Sequence, residues 1–372
     1  MSIITRRQFG KAACVASLAG IGLAPAHAKS ENILKVDASL EDLQKRIENK
    51  MKKWLKKYQV PGLSLSLLRN GKSVWAESYG VKEIVRNERV DSTTVFEAAS
   101  LTKPITAFVA LTLSGEGSLD LELPLLSYLD RSDRDGIPDG YLKITAQHVL
   151  CHSSGLPNWR IGAEAPKVNF EPGDRFSYSG EGYVLLQEAM QRITGKQLDV
   201  LCRERIFDPL GMKQSSLIWK DGFEHTLAFG YAKKIRKGVT RSYTTPNAAS
   251  SLVSSPNEYS LFLEYLFGAG MDQHEAPDDR VLQKMMVPQV DVRPGISWGL
   301  GWGLQSCEGE NAFWHWGNNG NRYHSFVIGY PEHGLGLVVM ANSGNGLPLC
   351  QELVPEIIGG CHPALDWRMV VG

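Results

Sequence analysis

The sequence predicts an α+β fold: an antiparallel sheet assembled from strands near both ends of the chain, flanked by helices, with a mostly helical insertion between them. Three observations predict it. Strand-like runs with turn signals occur at residues 62–76 and again at 296–342. The intervening residues 105–270 follow a largely helical pattern, with long loops at 112–142 and 157–177. No polar linker, low-complexity run or internal repeat divides the two strand regions, so one shared core is expected.

Taken in order, residues 1–28 read as a targeting segment. Arg6 and Arg7 precede Phe9, and an apolar stretch from Ala12 to Ala24 follows. That stretch is too short to span a bilayer, which needs roughly 20 residues. Ala26 and Ala28 supply an Ala-x-Ala cleavage site before Lys29. The segment resembles a twin-arginine export signal. The resemblance implies engagement of the twin-arginine export machinery, a periplasmic or secreted mature protein, and no stable membrane anchor after cleavage. Residues 29–372 are then expected to form a single domain, with an α/β region at about 38–105 and 285–360 and a helical region at about 106–284. Residues 39–58 place Leu40, Leu43, Ile47, Met51 and Leu55 at helical spacing. Residues 62–76 read as a hairpin turning on Asn70-Gly71. Ser325–Tyr330 and Leu335–Met340 read as strands joined by a Pro-Glu-His-Gly turn, and a last helix is predicted over about 347–358.

Composition removes several classes of function. Cleavage after Ala28 removes Arg6, Arg7 and Lys11 and leaves 37 basic against 40 acidic residues. No basic patch dominates, so nucleic acid is not an expected partner. The mature chain keeps Cys151, Cys202, Cys307, Cys350 and Cys361, an odd number and no disulfide framework. Cys350 could pair with Cys361 across the C-terminal turn, but ordinary buried thiols are the preferred expectation. No Cys/His spacing reads as a zinc site. Asp130, Asp133, Asp135 and Asp139 crowd one loop, yet Arg131 and Leu142 fall where an EF-hand needs ligands. A solvated acidic loop is expected there, with no metal and no cofactor.

The chemistry centres on Ser100-Leu101-Thr102-Lys103, followed by the helical run Ile105–Leu111. Residues three apart share a helix face, so the serine hydroxyl and the lysine amine can meet. A desolvated amine loses its proton more easily and can then accept the serine's. A first-turn position would also set Ser100 where free N–H groups favour developing negative charge. Pro104 is tolerable in a first turn but biases Lys103 away from helical dihedrals. One such tetrad arises by chance in a chain of this length, so its company matters. That company is Tyr178-Ser179-Gly180 and His315-Trp316-Gly317.

In order and spacing these three motifs resemble those of the serine β-lactamase and penicillin-binding-protein superfamily. Leu150-Cys151-His152-Ser153-Ser154-Gly155-Leu156-Pro157, Phe170–Ser177, Phe207–Met212 and Leu300–Gly303 add to the resemblance, which covers about residues 40–360. It is closest to the branch holding class C β-lactamases, D,D-peptidases, D-aminopeptidases and related esterases. It implies a β-lactamase/transpeptidase-like fold with the active site between its two regions. It also implies Ser100 as nucleophile, Lys103 and Tyr178 as joint candidates for the base, and the backbone N–H groups of Ser100 and Asn318 as oxyanion donors. His315 would face a substrate carboxylate, and Gly317 would let substrate approach the strand closely.

Two positions depart from the pattern. Gly180 stands where many relatives carry asparagine, and His315 stands where a fixed cation is common. Asn318, Asn319 and Glu181 are the nearest candidates to supply the missing contacts. The expected activity is therefore an exported serine hydrolase forming an acyl-enzyme with a small ester, an amide or a D-amino-acid peptide. The rivals are an efficient β-lactamase or penicillin-binding D,D-peptidase, and a catalytically idle binding protein of the same fold. The double change Gly180→Asn with His315→Lys is expected to move the enzyme toward β-lactams. Gly295-Ile296-Ser297-Trp298-Gly299 matches a nucleophile elbow, but the glycine-rich residues after it are poor for the required helix. His148, His152 and His324 are assigned to turns and packing. The export reading predicts a mature N-terminus at Lys29 in periplasmic material, measured by N-terminal sequencing. Arg6→Lys with Arg7→Lys should retain the full-length chain in the cytoplasm, and a full-length product indifferent to that change would refute it.

Overall fold

The computed structural model describes residues 34–35, 38–130, 139–162, 166–233, 236–237, 242–268 and 279–371. The residues read as a targeting segment and most of the acidic loop, including Asp133 and Asp135, lie outside the described residues. The strands, in chain order, are β1 (Gly62–Arg69), β2 (Lys72–Glu83), β3 (Glu88–Arg89), β4 (Phe96–Ala99), β5 (Tyr231–Ala232), β6 (Arg236–Lys237) and β7 (Leu252–Ser254). Six more follow: β8 (Val290–Arg293), β9 (Ile296–Trp298), β10 (Gly303–Cys307), β11 (Glu310–Asn319), β12 (Tyr323–Tyr330) and β13 (Leu335–Ala341). Nine of them form one antiparallel sheet in the order β3-β2-β1-β13-β12-β11-β10-β9-β8. The two ends of the chain thus meet where β1 pairs with β13, as the sequence predicts.

The hairpin between β1 and β2 turns on Asn70 and Gly71, at φ 49° and 72°, with Arg69 opposite Lys72. Two consecutive positive φ angles match the twist of the flanking strands, which is why Asn-Gly serves there. The serines of β1 look solvent-facing by alternation, but they are buried. Ser64 and Ser66 each make a 3.0 Å hydrogen bond to a serine of β2, Ser78 and Ser73 respectively. Nearly every residue of β1, β12 and β13 is buried, because both faces of the sheet are covered. Helix α1 (Leu40–Tyr58) packs on the helix Gly346–Ile358, which lies against β12 and β13, while Pro256–Leu266 packs on β1 and β13. Ser39 caps α1 by accepting from the Asp42 N–H, and Leu43, Ile47, Met51 and Trp54 form its buried stripe.

The insertion is less helical than its pattern predicts. Helices α2 (Thr102–Gly115), α3 (Ala146–Leu150) and α4 (Gly180–Thr194) stand, but the described residues of 219–255 hold one short helix, Phe223–Thr226, and three short strands. The reason is tertiary: β7 pairs with β4 directly before the nucleophile and is drawn into a two-stranded ladder.

The cysteine expectation needs correction. Cys350 is a buried free thiol, as are Cys151 and Cys202, and the partner of Cys361 is Cys307, with Cα atoms 6.0 Å apart. The bond ties the chain after the last long helix to the end of β10. It closes a loop of 54 residues, for which chain entropy gives a stabilisation of roughly 2–4 kcal/mol. The double variant Cys307→Ser with Cys361→Ser should therefore lower the unfolding free energy by about that amount in urea titrations. An unchanged midpoint would show that packing alone holds the C-terminal segment.

Candidate active site

Ser100 follows β4 and lies one residue ahead of Leu101, the N-cap of α2, rather than inside the first turn. Ala99 before it has φ 53°, a left-handed backbone unusual for a residue with a Cβ. Several bonds hold this turn. Thr102 Oγ1 donates to the Ala99 carbonyl at 2.6 Å and accepts from the Leu252 N–H at 2.9 Å. Tyr259 donates to the Leu101 carbonyl, and Ser325 donates to the Ala98 carbonyl at 2.8 Å. The Ser100 N–H makes no hydrogen bond among the described residues, which leaves it available to an oxyanion. Pro104 does not break the geometry. Lys103 is helical, its N–H bonded to the Ser100 carbonyl at 3.0 Å, so tertiary contacts override the pre-proline bias.

The lysine amine donates to Ser100 Oγ at 3.1 Å and to the Ala249 carbonyl at 2.9 Å. Lys103 is wholly buried. Burial drives its pKa well below the ordinary lysine value, with no nearby carboxylate to oppose the shift. The rings of Tyr178 and Tyr183, 4.7 and 5.5 Å away, favour a cation, but such contacts contribute only about 0.5–2 kcal/mol. Desolvation is the larger effect.

Tyr178 is fixed by His152. The Ser177 N–H donates to the His152 carbonyl at 2.7 Å, the Ser179 N–H donates to His152 Nδ1 at 3.0 Å, and the two rings lie 4.2 Å apart. Because Nδ1 accepts, the neutral imidazole carries its proton on Nε2. Ser179 caps α4 by accepting from the Gly182 N–H and donates to the Pro157 carbonyl. The Tyr178 hydroxyl is buried without a completed hydrogen bond. Burial raises its pKa, and proximity to the Ser100 hydroxyl only partly opposes that. Tyr178 is therefore a neutral phenol.

His315 does not face the cleft. It is wholly buried, stacked on Trp316 at 5.3 Å, and its Nδ1 donates to the Trp316 carbonyl at 2.8 Å. Burial lowers its pKa to about 3, so it offers no cation to a substrate carboxylate. The expectation that it binds one is corrected: Trp316 lines the cleft instead. Gly317 serves a different contact from the one expected. A Cβ there would sit 2.4 Å from the Ala98 carbonyl and 2.2 Å from Ser325 Oγ. The glycine lets β11 press against the backbone behind the nucleophile, rather than admitting substrate.

The cleft, about 690 Å³, is lined by Ser100, Tyr178, Trp316, Asn318 and Asn319 among the residues the motifs pointed to. Sequence reasoning missed Asn158, Trp159, Tyr243, Asn247, Ser250, Asn321 and Met369. Asn158 directly follows the Gly155-Leu156-Pro157 turn and was within reach of the motif reading. Met369 was not, because no pattern marks the C-terminal residues as part of a site. Trp367 brings that segment in, packing on Trp316, Trp314 and Phe176 at about 6 Å. A larger cleft of about 820 Å³ at the far edge of the sheet contains Ser297. Ser297 lies on β9, glycines and β10 follow rather than a helix, and no histidine lines that cleft. The chemistry lies with Ser100.

A buried lysine bonded to a serine at a helix start, with a phenol beside it, on an antiparallel sheet with a helical region, defines a serine hydrolase class. The Beta-lactamase family model matches residues 43–352, and the chain belongs to that family. It is 25% identical over 329 residues to Penicillin-binding protein 4* of Bacillus subtilis, covering 77% of this chain and 69% of that one. It is 24% identical over 342 residues to Protein flp of Staphylococcus aureus, covering 85% of this chain and 65% of that protein. The chain thus spans about two thirds of the length of these relatives. In fold it is similar to a β-lactamase/D-alanine carboxypeptidase from Pseudomonas syringae, at TM-score 0.74 and 20% identity over 85% and 98% of the two chains. An octameric penicillin-binding protein homologue from Pyrococcus abyssi matches at TM-score 0.70 and 23% identity over 84% and 77%.

Four buried histidines predict acid lability. Burial holds His315 and His324 at about 3 and His362 at about 4, and pushes His152 well below 6.5. The unfolded chain takes up protons near pH 6.5 and the folded one does not, so stability falls as pH drops from about 6.5 toward the folded values. His315, His324 and His362 each contribute on the order of 1–2 kcal/mol to that loss between pH 7 and pH 5, and His152 acts in the same direction. Urea titrations at the two pH values should show it. His324→Asn, which keeps an acceptor for the Leu347 N–H, should flatten the dependence.

Proposed function

We propose that this protein is an exported serine hydrolase that forms an acyl-enzyme on Ser100 from a small, uncharged ester or amide. The observation that carries the reading is the 3.1 Å contact between Ser100 Oγ and the buried amine of Lys103, whose proton burial makes easier to lose. An uncharged amine at that distance can take the serine proton as Oγ attacks an acyl carbon. The Ser100 and Asn318 N–H groups would receive the oxyanion. Tyr178, neutral and between the lysine and the cleft, would relay the proton to the leaving group. Its departure leaves the acyl group on Oγ, and water returns the serine. Lys103 is thus the base and Tyr178 the proton relay, which divides a role the motifs left joint.

Substrate charge follows from the walls. No described residue lining the cleft carries a formal charge. A carboxylate entering it would lose hydration without gaining a cation, so uncharged acyl compounds are favoured over β-lactams. The Cys307–Cys361 disulfide supports the export reading, because such bonds persist in oxidising compartments.

Fluorophosphonate labelling should disappear in Ser100→Ala and survive in Ser297→Ala. Hydrolysis of p-nitrophenyl butyrate should exceed that of nitrocefin by about 100-fold or more in kcat/KM, a difference of roughly 3 kcal/mol or more in transition-state stabilisation. The change Gly180→Asn should not narrow that gap, contrary to the expectation from the motifs alone. Its Cβ would already lie 2.8 Å from the Asn158 carbonyl oxygen and from the Trp159 ring. An adduct on Ser297, or comparable rates on the two substrates, would overturn the reading.

A further inference from the structure

Gly180 makes room for an aromatic ring. A Cβ there would stand 2.8 and 3.0 Å from two carbons of the Trp159 indole. The backbone on both sides of Trp159 is clamped to the start of α4. The Asn158 carbonyl accepts from the Gly180 and Glu181 N–H groups at 3.0 and 3.1 Å. The Arg160 N–H donates to Glu181 Oε1 at 3.0 Å, and Arg160 Nε donates to Glu181 Oε2 at 2.7 Å. Glu181 is buried, and its carboxylate is taken up in holding this loop rather than in meeting a substrate.

Met369 reaches the cleft from the other end of the chain and is held as firmly. Cys361 is bonded to Cys307, the Ala364 N–H donates to Gln305 Oε1 at 3.2 Å, and Gln351 Nε2 donates to the Leu365 carbonyl at 2.8 Å. Trp367 then packs on Trp316 with ring centroids 6.0 Å apart, and Val370 is buried, which leaves Met369 on the cleft wall. Trp316 lies 4.8 Å from Tyr178, ring to ring. Trp159 and Trp316 thus flank one turn, Tyr178–Gly180, and Met369 lines the same cleft with Ser100.

Trp159 is 45% exposed and Met369 44%. Both are anchored by their neighbours yet left open to solvent beside the nucleophile. Apolar surface in that position is stabilised only by a ligand that covers it. An indole and a thioether both pack well against an aromatic ring. We infer that Trp159 and Met369 are specificity-determining residues, and that the preferred substrates are uncharged esters carrying an aryl group. The inference rests on the acyl-enzyme reading above and names the substrate class of that site.

The test compares kcat/KM within two pairs of esters, one for each side of the scissile bond: methyl 3-phenylpropanoate against methyl butyrate, and 2-phenylethyl acetate against ethyl acetate. In at least one pair the aryl ester should be preferred by about tenfold or more. Trp159→Ser and Met369→Ser should each cut that preference about threefold or more, and Trp159→Phe should keep most of it. Both side chains are half-exposed, so these changes leave the core intact. No preference in either pair, losses equal on both members of a pair, or a ratio that neither variant moves would overturn the inference. If the ring is saturated and the cyclohexyl ester reacts as fast as the phenyl one, the aryl class is refuted. A second measurement does not depend on turnover. In NMR titrations Ser100→Ala should bind 3-phenylpropanamide severalfold more tightly than butyramide, and adding Trp159→Ser should abolish the difference. Wild-type protein that fluorophosphonate fails to label, while Ser100→Ala still prefers 3-phenylpropanamide through Trp159, would refute the hydrolase and retain the aryl site.

Discussion

The structure is organised around one buried amine. Placing Lys103 at zero exposure 3.1 Å from Ser100 is unfavourable for an ammonium, and no carboxylate stands by to pair with it. The fold meets this by a pKa lowered well below the ordinary lysine value and by two oxygens for the amine to donate to, Ser100 Oγ and the Ala249 carbonyl. The Ala249 contact explains the loop around residues 247–251, where short-range bonds from Asn247, Ser250 and Ser251 turn a carbonyl inward. It also explains why β7 pairs with β4 rather than extending a helix: the ladder carries that loop to the amine.

The same demand reaches the sheet. For Lys103 to meet Ser100 from a helix, the backbone before the serine must turn sharply, and Ala99 takes up that turn with a positive φ. Strain of that kind persists only when the surroundings hold it. Here they do so from both sides. Thr102 and Leu101 are bonded from the helical region, and Ser325 on β12 reaches the Ala98 carbonyl past Gly317 on β11. The glycine of the third motif therefore belongs to the support of the nucleophile as much as to the cleft. His152 and His315 lie in the same dry layer, where burial keeps both uncharged beside the amine. A protonated imidazole there would repel any proton Lys103 received.

How much of this was legible in the sequence follows from which signals are local. The β1–β2 hairpin, α1, the β12–β13 pair and the last long helix carry their own periodicity and turn residues, and the structure shows them within a few residues of the predicted bounds. The Ser100–Lys103 contact was legible because i and i+3 geometry is local. What was not legible depends on pairs distant in sequence. Gly317 needs Ala98, 219 residues earlier, to have a meaning. His315 lies on a strand whose inward face could not be told from its cleft face, since nearly all of β11 is buried. Cys361 found Cys307 rather than the nearer Cys350 because β10 returns to the C-terminal segment, which spacing alone does not show.

The C-terminal segment shows how the end of the described chain completes the cleft. After Ile358 the chain has already completed the layers that cover the sheet. Of the thirteen described residues beyond it, Ala364, Leu365 and Val370 join that core, and the Cys307–Cys361 bond and the 3₁₀ turn Pro363–Asp366 direct Trp367 onto Trp316 and leave Met369 on the cleft wall. With Trp159 they add apolar surface to a cleft that asparagines also line. Apolar surface of that kind favours desolvation of a bound acyl group. Neither Trp367 nor Met369 lies on the strand and helix that hold Ser100 and Lys103. Machinery for acyl transfer and selection of the acyl group are thus built from separate parts of the chain, and the second can vary while the buried amine holds the first in place.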